Sequence, residues 1–222
     1  MLRYFKITLA ILSLIIFLIF PANVLAHDVV KDLENMSNTE SISLYLITGY
    51  KHILPLGFDH ILFIISLVLI SNNLKQLICL CTVFTFGHCI TLGLAMYGIF
   101  GISSSVVEPL IALSIVYVAI ENIIVKRLKT SRLILVFAFG LLHGLGFAGA
   151  LNEIGLPQNS YFASLLAFNV GVELGQITII LISFFIFKKI KESQSVDWQK
   201  VMIPISSVIL LIGTYWFFER II

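Results

Sequence analysis

Four of the five histidines in this 222-residue chain, and several of its acids, stand inside or at the edges of apolar runs. Asp59-His60, His88, His143 and Glu173 each interrupt a stretch that otherwise reads as lipid-spanning. Burying an ionisable group at such a depth is costly unless it is paired or metal-bound, so each is a functional candidate by default. Imidazole and carboxylate together suit borderline divalent cations such as Ni²⁺, Co²⁺ and Zn²⁺, and a site of nitrogen and oxygen donors alone can release its ion again. Asp59 can ligate directly or orient a histidine through its second ring nitrogen. Glu173 can ligate or take up a proton that the ion displaces. The structural alternative is a hydrogen-bonded network of His60, His88 and His143 without metal.

The elements that must hold these residues follow from composition. The chain is 59% hydrophobic and 12% charged, with mean hydropathy +1.05, which places it among polytopic membrane proteins. There is no room for a separate soluble catalytic domain. Cys79, Cys81 and Cys89 lie in one apolar run without a CxxC pair, which argues against a disulfide framework and a thiolate metal box. No basic-aromatic interleaving points to nucleic acid, and no glycine-rich phosphate loop occurs. The apolar runs are Leu54–Ser71, Leu74–Tyr97, Val106–Val125, Leu133–Leu151, Tyr161–Phe187 and Val201–Phe218. Each is near the roughly 20 residues a bilayer demands of a helix. They are too long for barrel strands, and only helices or closed barrels satisfy their backbone in lipid. The expectation is an all-α, polytopic membrane protein of six transmembrane helices after a cleavable signal peptide.

Arg3 and Lys6 precede the apolar run Ile7–Phe20, Pro21 breaks it, and Val24-Leu25-Ala26 resembles a cleavage site. This divides the chain into residues 1–26, a signal peptide; 27–50, a short exported segment; and 51–222, the transmembrane domain. Cleavage would leave His27 as the new N-terminus beside Asp28, a pair able to hold a divalent cation weakly. Lys75, Lys126, Arg127, Lys129, Arg132, Lys188, Lys189, Lys191 and Lys200 fall on one side of the spans. Only Lys31, Lys51 and Arg220 fall on the other. The bias puts the mature N-terminus outside.

Depth and helical face then gather the polar residues. At 1.5 Å per residue, Asp59 and His60 lie about 8–10 Å inward from Leu54, His88 about 13 Å from Tyr97, and His143 about 12 Å from Leu151. Asn169 lies about 12 Å and Glu173 about 18 Å inward from Tyr161. Most of these depths fall in one slab in the outer half of the membrane. Asn169, Glu173 and Gln176 share one stripe of the fifth span. Gly140 lies on the His143 side of the fourth span, and Gly144 with Ala148 makes a small-residue seam for close helix contact. His52 stands at the mouth of the first span, which Pro55 is expected to open. Glu108 and Glu153 lie near the outer surface and could collect cations. Glu108 and Asn122 share a face of the third span, and Glu121 lies beside Lys126 and Arg127, a setting for a structural ion pair.

The blocks "GFDHILFIISL", "FTFGHCITLGLA", "VEPLIALSIVYVAIEN", "FGLLHGLGFAGALNEIGLP" and "AFNVGVELGQ" occur in that order between about Thr48 and Phe187. In them the chain resembles the HupE/UreJ family of membrane proteins, associated with hydrogenase and urease gene clusters. By position, the resemblance assigns the family's characteristic residues to Asp59, His60, His88, Glu108, Glu121, Asn122, His143, Glu153, Asn169, Glu173 and Gln176. It implies import of Ni²⁺ or Co²⁺ across a bacterial inner membrane, or supply of nickel to an enzyme being matured. Many relatives carry a longer exported N-terminal region than this chain does.

The expected function is therefore secondary transport of a divalent transition metal, nickel or cobalt first and zinc next, with no prosthetic group. Asp59, His60, His88, His143 and Glu173 form the expected site, approached past His52 and His27. Two rivals stay open: an intramembrane zinc hydrolase, and a metal-binding accessory protein for hydrogenase or urease assembly. The expected partners are the lipid bilayer and the ion, with no nucleic acid.

Overall fold

A computed structural model describes residues 36–125, 132–193 and 196–222 of the chain. The expected signal peptide, His27, Lys126, Arg127 and Lys129 lie outside the described residues. The fold is all-α: α1 (Asn38–Ile53), α2 (Phe58–Ile70), α3 (Leu74–Met96), α4 (Ser104–Ile124), α5 (Arg132–Ile154), α6 (Tyr161–Lys191) and α7 (Gln199–Glu219), with one 3₁₀ turn at Gln158–Ser160 before α6. Helices α3 to α7 are each long and apolar enough to cross a bilayer, and α1 with α2 adds a sixth crossing if that bent pair is one span. This is the architecture of a multi-pass membrane protein. The five long helices begin and end within a few residues of the apolar runs from which they were expected.

The first expected span, Leu54–Ser71, requires correction. It is not one helix starting at Pro55: α2 begins only at Phe58, has 13 residues and is about 20 Å long, too short to cross alone. Only together with α1, in the ground read as an exported segment, is it long enough to cross. The start of α1 is fixed by a capping box, in which Ser37 Oγ accepts from the Glu40 amide and Glu40 Oε2 accepts from the Ser37 amide at 2.9 Å. Ser41, Tyr45, Gly49 and Ile53 form a single buried stripe four residues apart. That stripe lies along α6, where Gly49 meets the backbone of Phe168 and Gly171 that of Leu46 and Tyr50. The fully buried Tyr45 donates its hydroxyl to the Gly155 carbonyl, tying α1 to the α5–α6 turn. The chain bends by 65° between α1 and α2, at Leu54–Gly57, where Pro55 and Gly57 interrupt the helical ladder.

Every α2 residue from His60 to Leu69 is buried, as expected of a helix apolar on all sides and enclosed by a bundle. It packs on α4, α6 and α7. At the basic end, Lys191 Nζ donates to the Ser71 carbonyl at 2.9 Å and to Asn72 Oδ1 at 2.8 Å, and Trp198 Nε1 donates to the Leu69 carbonyl at 3.2 Å. These bonds take up carbonyls at the end of α2 that lack helical partners. Helices α3 and α5 cross closely: Gly140 meets the backbone of Phe84, and Gly144 that of His88. The small-residue seam read in the sequence is thus the contact that sets His88 beside α5.

Candidate metal centre

The break between α1 and α2 brings their histidines to the others. The last turn of α1 supplies His52 and the first turn of α2 supplies Asp59 and His60. His88 comes from the middle of α3 and His143 from the middle of α5. Ring centroids of His60 and His143 lie 4.6 Å apart, those of His52 and His60 4.9 Å, and those of His60 and His88 6.2 Å. Two ligand triads result, His52–His60–His88 and Asp59–His60–His143, each with donor atoms within 4.8 Å of one another. A tetrahedral ion with bonds of about 2.0–2.1 Å would hold its ligands about 3.3 Å apart, so either triad needs only small closure. His60 belongs to both.

On three of the rings hydrogen bonding engages Nδ1 and leaves Nε2 over. His143 Nδ1 faces the Phe139 carbonyl at 2.8 Å, and a carbonyl only accepts, so Nδ1 carries the proton. His88 Nδ1 faces Asn169 Oδ1 at 3.1 Å. Asn169 Nδ2 donates to the Leu165 carbonyl at 2.9 Å, which fixes the amide with its oxygen toward His88. His60 Nδ1 lies 3.0 Å from Asp59 Oδ1, which also accepts the His60 amide at 2.9 Å. In neutral rings so held, Nε2 keeps its lone pair. Nε2 of His60, His88 and His143, and of His52, is buried with no hydrogen-bond partner among the described residues. Unpartnered buried nitrogens on four clustered imidazole rings are hard to reconcile with a satisfied hydrogen-bond network, because each orphaned buried polar atom costs free energy. They have the form of ligands held by outer hydrogen bonds.

A cavity opens onto the centre from one end of the bundle. The cavity, of about 180 Å³, is lined by His52, Asp59, His60 and His143 together with Glu108, Ile111, Gly146, Phe147 and Arg220. Its outer residues come from the start of α4 and the ends of α5 and α7, the end of the bundle opposite the lysines. Arg220 Nη1 donates to the Glu108 carbonyl there at 3.1 Å. Around the rings stand Phe84, Phe147 and Phe168, with Phe147 3.8 Å from His52 between centroids. Asp59 supplies the negative charge of the cluster, in the first turn of α2, where a carboxylate complements the helix dipole.

The remaining candidates separate by role. Asn169 is buried and holds His88. Glu108 is at the cavity mouth, and Glu153 is exposed away from the centre. Glu121 pairs with the buried Arg132; Lys126 and Arg127, beside which an ion pair was expected, lie outside the described residues. Asn122 is buried and donates to the Ser66 carbonyl at 2.6 Å, joining α4 to α2. Glu173 is not among the converging ligands: its Oε1 accepts from Thr82 Oγ1 at 2.7 Å on α3. Gln176 accepts from Cys81 Sγ at 2.8 Å. Sitting one and two turns beyond Asn169 on α6, these two reach a deeper level than His88. His52, expected at the mouth, is a ligand-cluster member. Its spacing from Asp59-His60 across a Pro–Gly break was the available signal.

Fold and site define a class: a multi-pass helical membrane protein with a buried His/Asp cluster capable of holding a metal ion. The chain matches the family model described as HupE / UreJ protein over residues 28–220. It belongs to the HupE/UreJ family. No curated protein and no solved structure matches it.

Proposed function

We propose that this protein is a secondary transporter that imports a divalent transition metal, nickel or cobalt, across a bacterial inner membrane. The observation that carries the reading is the set of four buried, unpartnered Nε2 atoms clustered at the α1–α2 break, with His52, His60 and His143 lining a cavity at the end of the bundle opposite the lysines. An ion entering from the end opposite the lysines would meet Glu108, then Asp59, His60 and His143, then His52 and His88. A negative-inside potential would drive a cation inward by about 2.3 kcal/mol per charge per 100 mV. The excess of Lys and Arg at the opposite end supports an orientation with that end in the cytoplasm and the mature N-terminus outside. Family membership supports nickel and a link to hydrogenase or urease assembly. On this reading the protein leaves the ion it carries chemically unchanged.

The test is time-resolved uptake of Ni²⁺, Co²⁺ and Zn²⁺ into liposomes containing the purified protein, with His88→Ala and His143→Ala alongside. Saturable uptake by the wild type and its loss in both variants is expected. Tight binding of one ion without flux would make the protein a delivery partner instead. Unchanged uptake in both variants would remove the centre from the path. Labelling of single cysteines placed at Glu153 and at Lys200 from either face of the membrane checks the orientation.

A further inference from the structure

His60 borders two spaces. On the open side is the cavity described above; on the other is a void of about 10 Å³, lined by His60, Phe63, Ile64, Leu67, Leu77, Leu80, Cys81, Phe84, Gln176 and Ile180. Leu67 is late in α2, Leu77 and Leu80 early in α3, and Ile180 late in α6, so this void lies on the lysine-bearing side of His60. Its volume is about that of one water-sized probe, too small for a hydrated cation. An ion moving inward from His60 must therefore pass from ligand to ligand. The polar groups bordering the void besides His60 are Cys81 and Gln176, both buried.

We infer that Cys81 and Gln176, with Glu173 as proton acceptor, form a second metal station on the inward side of His60. This rests on the carrier reading and extends its path by one step. Cys81 Sγ donates to Gln176 Oε1 at 2.8 Å, and Thr85 Oγ1 reaches the same oxygen at 3.4 Å. The thiol also lies within interaction range of Glu173. Glu173 Oε1 is taken by Thr82, whereas Oε2 is buried and has no partner among the described residues. His60 Nε2 is likewise unpartnered, on a ring that is 3% exposed and borders the void. A thiol ligates as thiolate, so its proton must leave. The S–H bond of Cys81 breaks, the sulfur pair forms the bond to the ion, and the proton passes to Glu173. The pair keeps its single negative charge, and no oxidant or reductant takes part. Sulfur, the Gln176 oxygen and the trailing His60 nitrogen then give three donors to an ion that has left its other histidines. A softer donor at this point favours nickel, cobalt and zinc over magnesium or calcium, which prefer oxygen.

The test uses the full-length protein and Co²⁺ alone. The first equivalent fills the histidine centre and keeps His60, so the second has Cys81 and Gln176 as its protein donors, and a near-ultraviolet thiolate-to-cobalt absorption band is expected to grow with the second equivalent. Cys81→Ala should abolish the band, whereas Cys79→Ala and Cys89→Ala, which alter thiols outside the void, should keep it. Cys81→Ser, close in size and able to donate to Gln176, should retain the wild-type melting temperature and still lack the band. In liposomes, Cys81→Ala should lower Co²⁺ uptake at least tenfold while the first equivalent binds with wild-type affinity. A wild type without the band, a band surviving Cys81→Ala, or Cys81→Ala uptake within twofold of wild type overturns the station. Wild-type protein that binds Co²⁺ but transports none sinks the carrier reading, and the absorption measurement then judges the station by itself.

Discussion

His88 Nδ1 and Asn169 Oδ1 meet at 3.1 Å across the α3–α6 interface, and the Asn169 amide is held in turn by its bond to the Leu165 carbonyl. A residue with no donor atom of its own in the cluster thus decides which nitrogen of His88 is bare. Asn169→Leu removes that acceptor, frees the ring to rotate and allows the other tautomer. The expected outcome is a roughly 10–100-fold loss of Co²⁺ affinity, the range for changes to groups that orient metal-bound histidines. Isothermal titration of the purified variant checks it, with circular dichroism to establish that the helices persist.

His60 is the ligand common to both triads, so the histidine substitutions should not be equivalent. His60→Ala leaves two donors in each triad and is expected to cost more than about a hundredfold in affinity, beyond the effect of an orienting group. His143→Ala spares the His52–His60–His88 set, and His88→Ala spares the Asp59–His60–His143 set. Each should retain measurable binding that His60→Ala lacks. Equal affinities for the three variants would show a single site in which all ligands act together.

The sequence made some of this legible and hid the rest for definite reasons. Helices α3 to α7 are long apolar runs, and hydropathy placed them to within a few residues. The depth count brought His88 and His143 to one level because 1.5 Å per residue holds wherever a helix is straight. It failed where the chain is broken. Ser41 and Tyr45 carry polar atoms yet lie in the buried stripe of α1, so the pattern from Asn38 onward read as polar. Pro55 and Gly57 then looked like the start of a helix and not the bend between two. With α1 unseen, His52 was assigned to the mouth. Glu173 shows a second limit: its depth and face were legible, but Thr82 on α3 is a partner that only packing reveals. Asn169 was placed on the right stripe, although nothing in its spacing told whether it would ligate or orient.

The close crossing of α3 and α5 depends on Gly144. A Cβ there would meet the His88 carbonyl carbon at 3.0 Å, and Thr91 Oγ1 beside it is engaged with the Leu141 carbonyl at 2.7 Å. Gly144→Val must push the two helices apart, at a cost of about 1–3 kcal/mol as for other over-packed interiors. The movement also carries His88 away from His60, so affinity for Co²⁺ should fall along with the melting temperature. Gly149→Ala provides the comparison on the same helix. A Cβ at Gly149 meets nothing within 4 Å, and its stability should stay within about 0.5 kcal/mol of wild type. Matching losses in the two variants would show that the crossing does not need its small residue.

The ion pair of Glu121 with Arg132 joins the end of α4 to the start of α5, with the arginine side chain 2% exposed and the glutamate 12%. Both Arg132 Nε and Nη2 donate to Glu121 Oε2, while Nη1 has no partner among the described residues. Removing the acid strands a buried guanidinium, so Glu121→Ala should destabilise the protein by about 3–5 kcal/mol. Replacing both partners, as in Glu121→Met with Arg132→Met, removes the stranded charge and should recover most of that loss. The pair lies at the lysine-bearing end, far from the cavity mouth. Co²⁺ affinity of whatever folded protein remains should therefore match the wild type within twofold. Denaturation in detergent and titration of the same preparations separate the two effects. A folded Glu121→Ala protein that has lost Co²⁺ binding would move Glu121 from holding the bundle together to handling the ion.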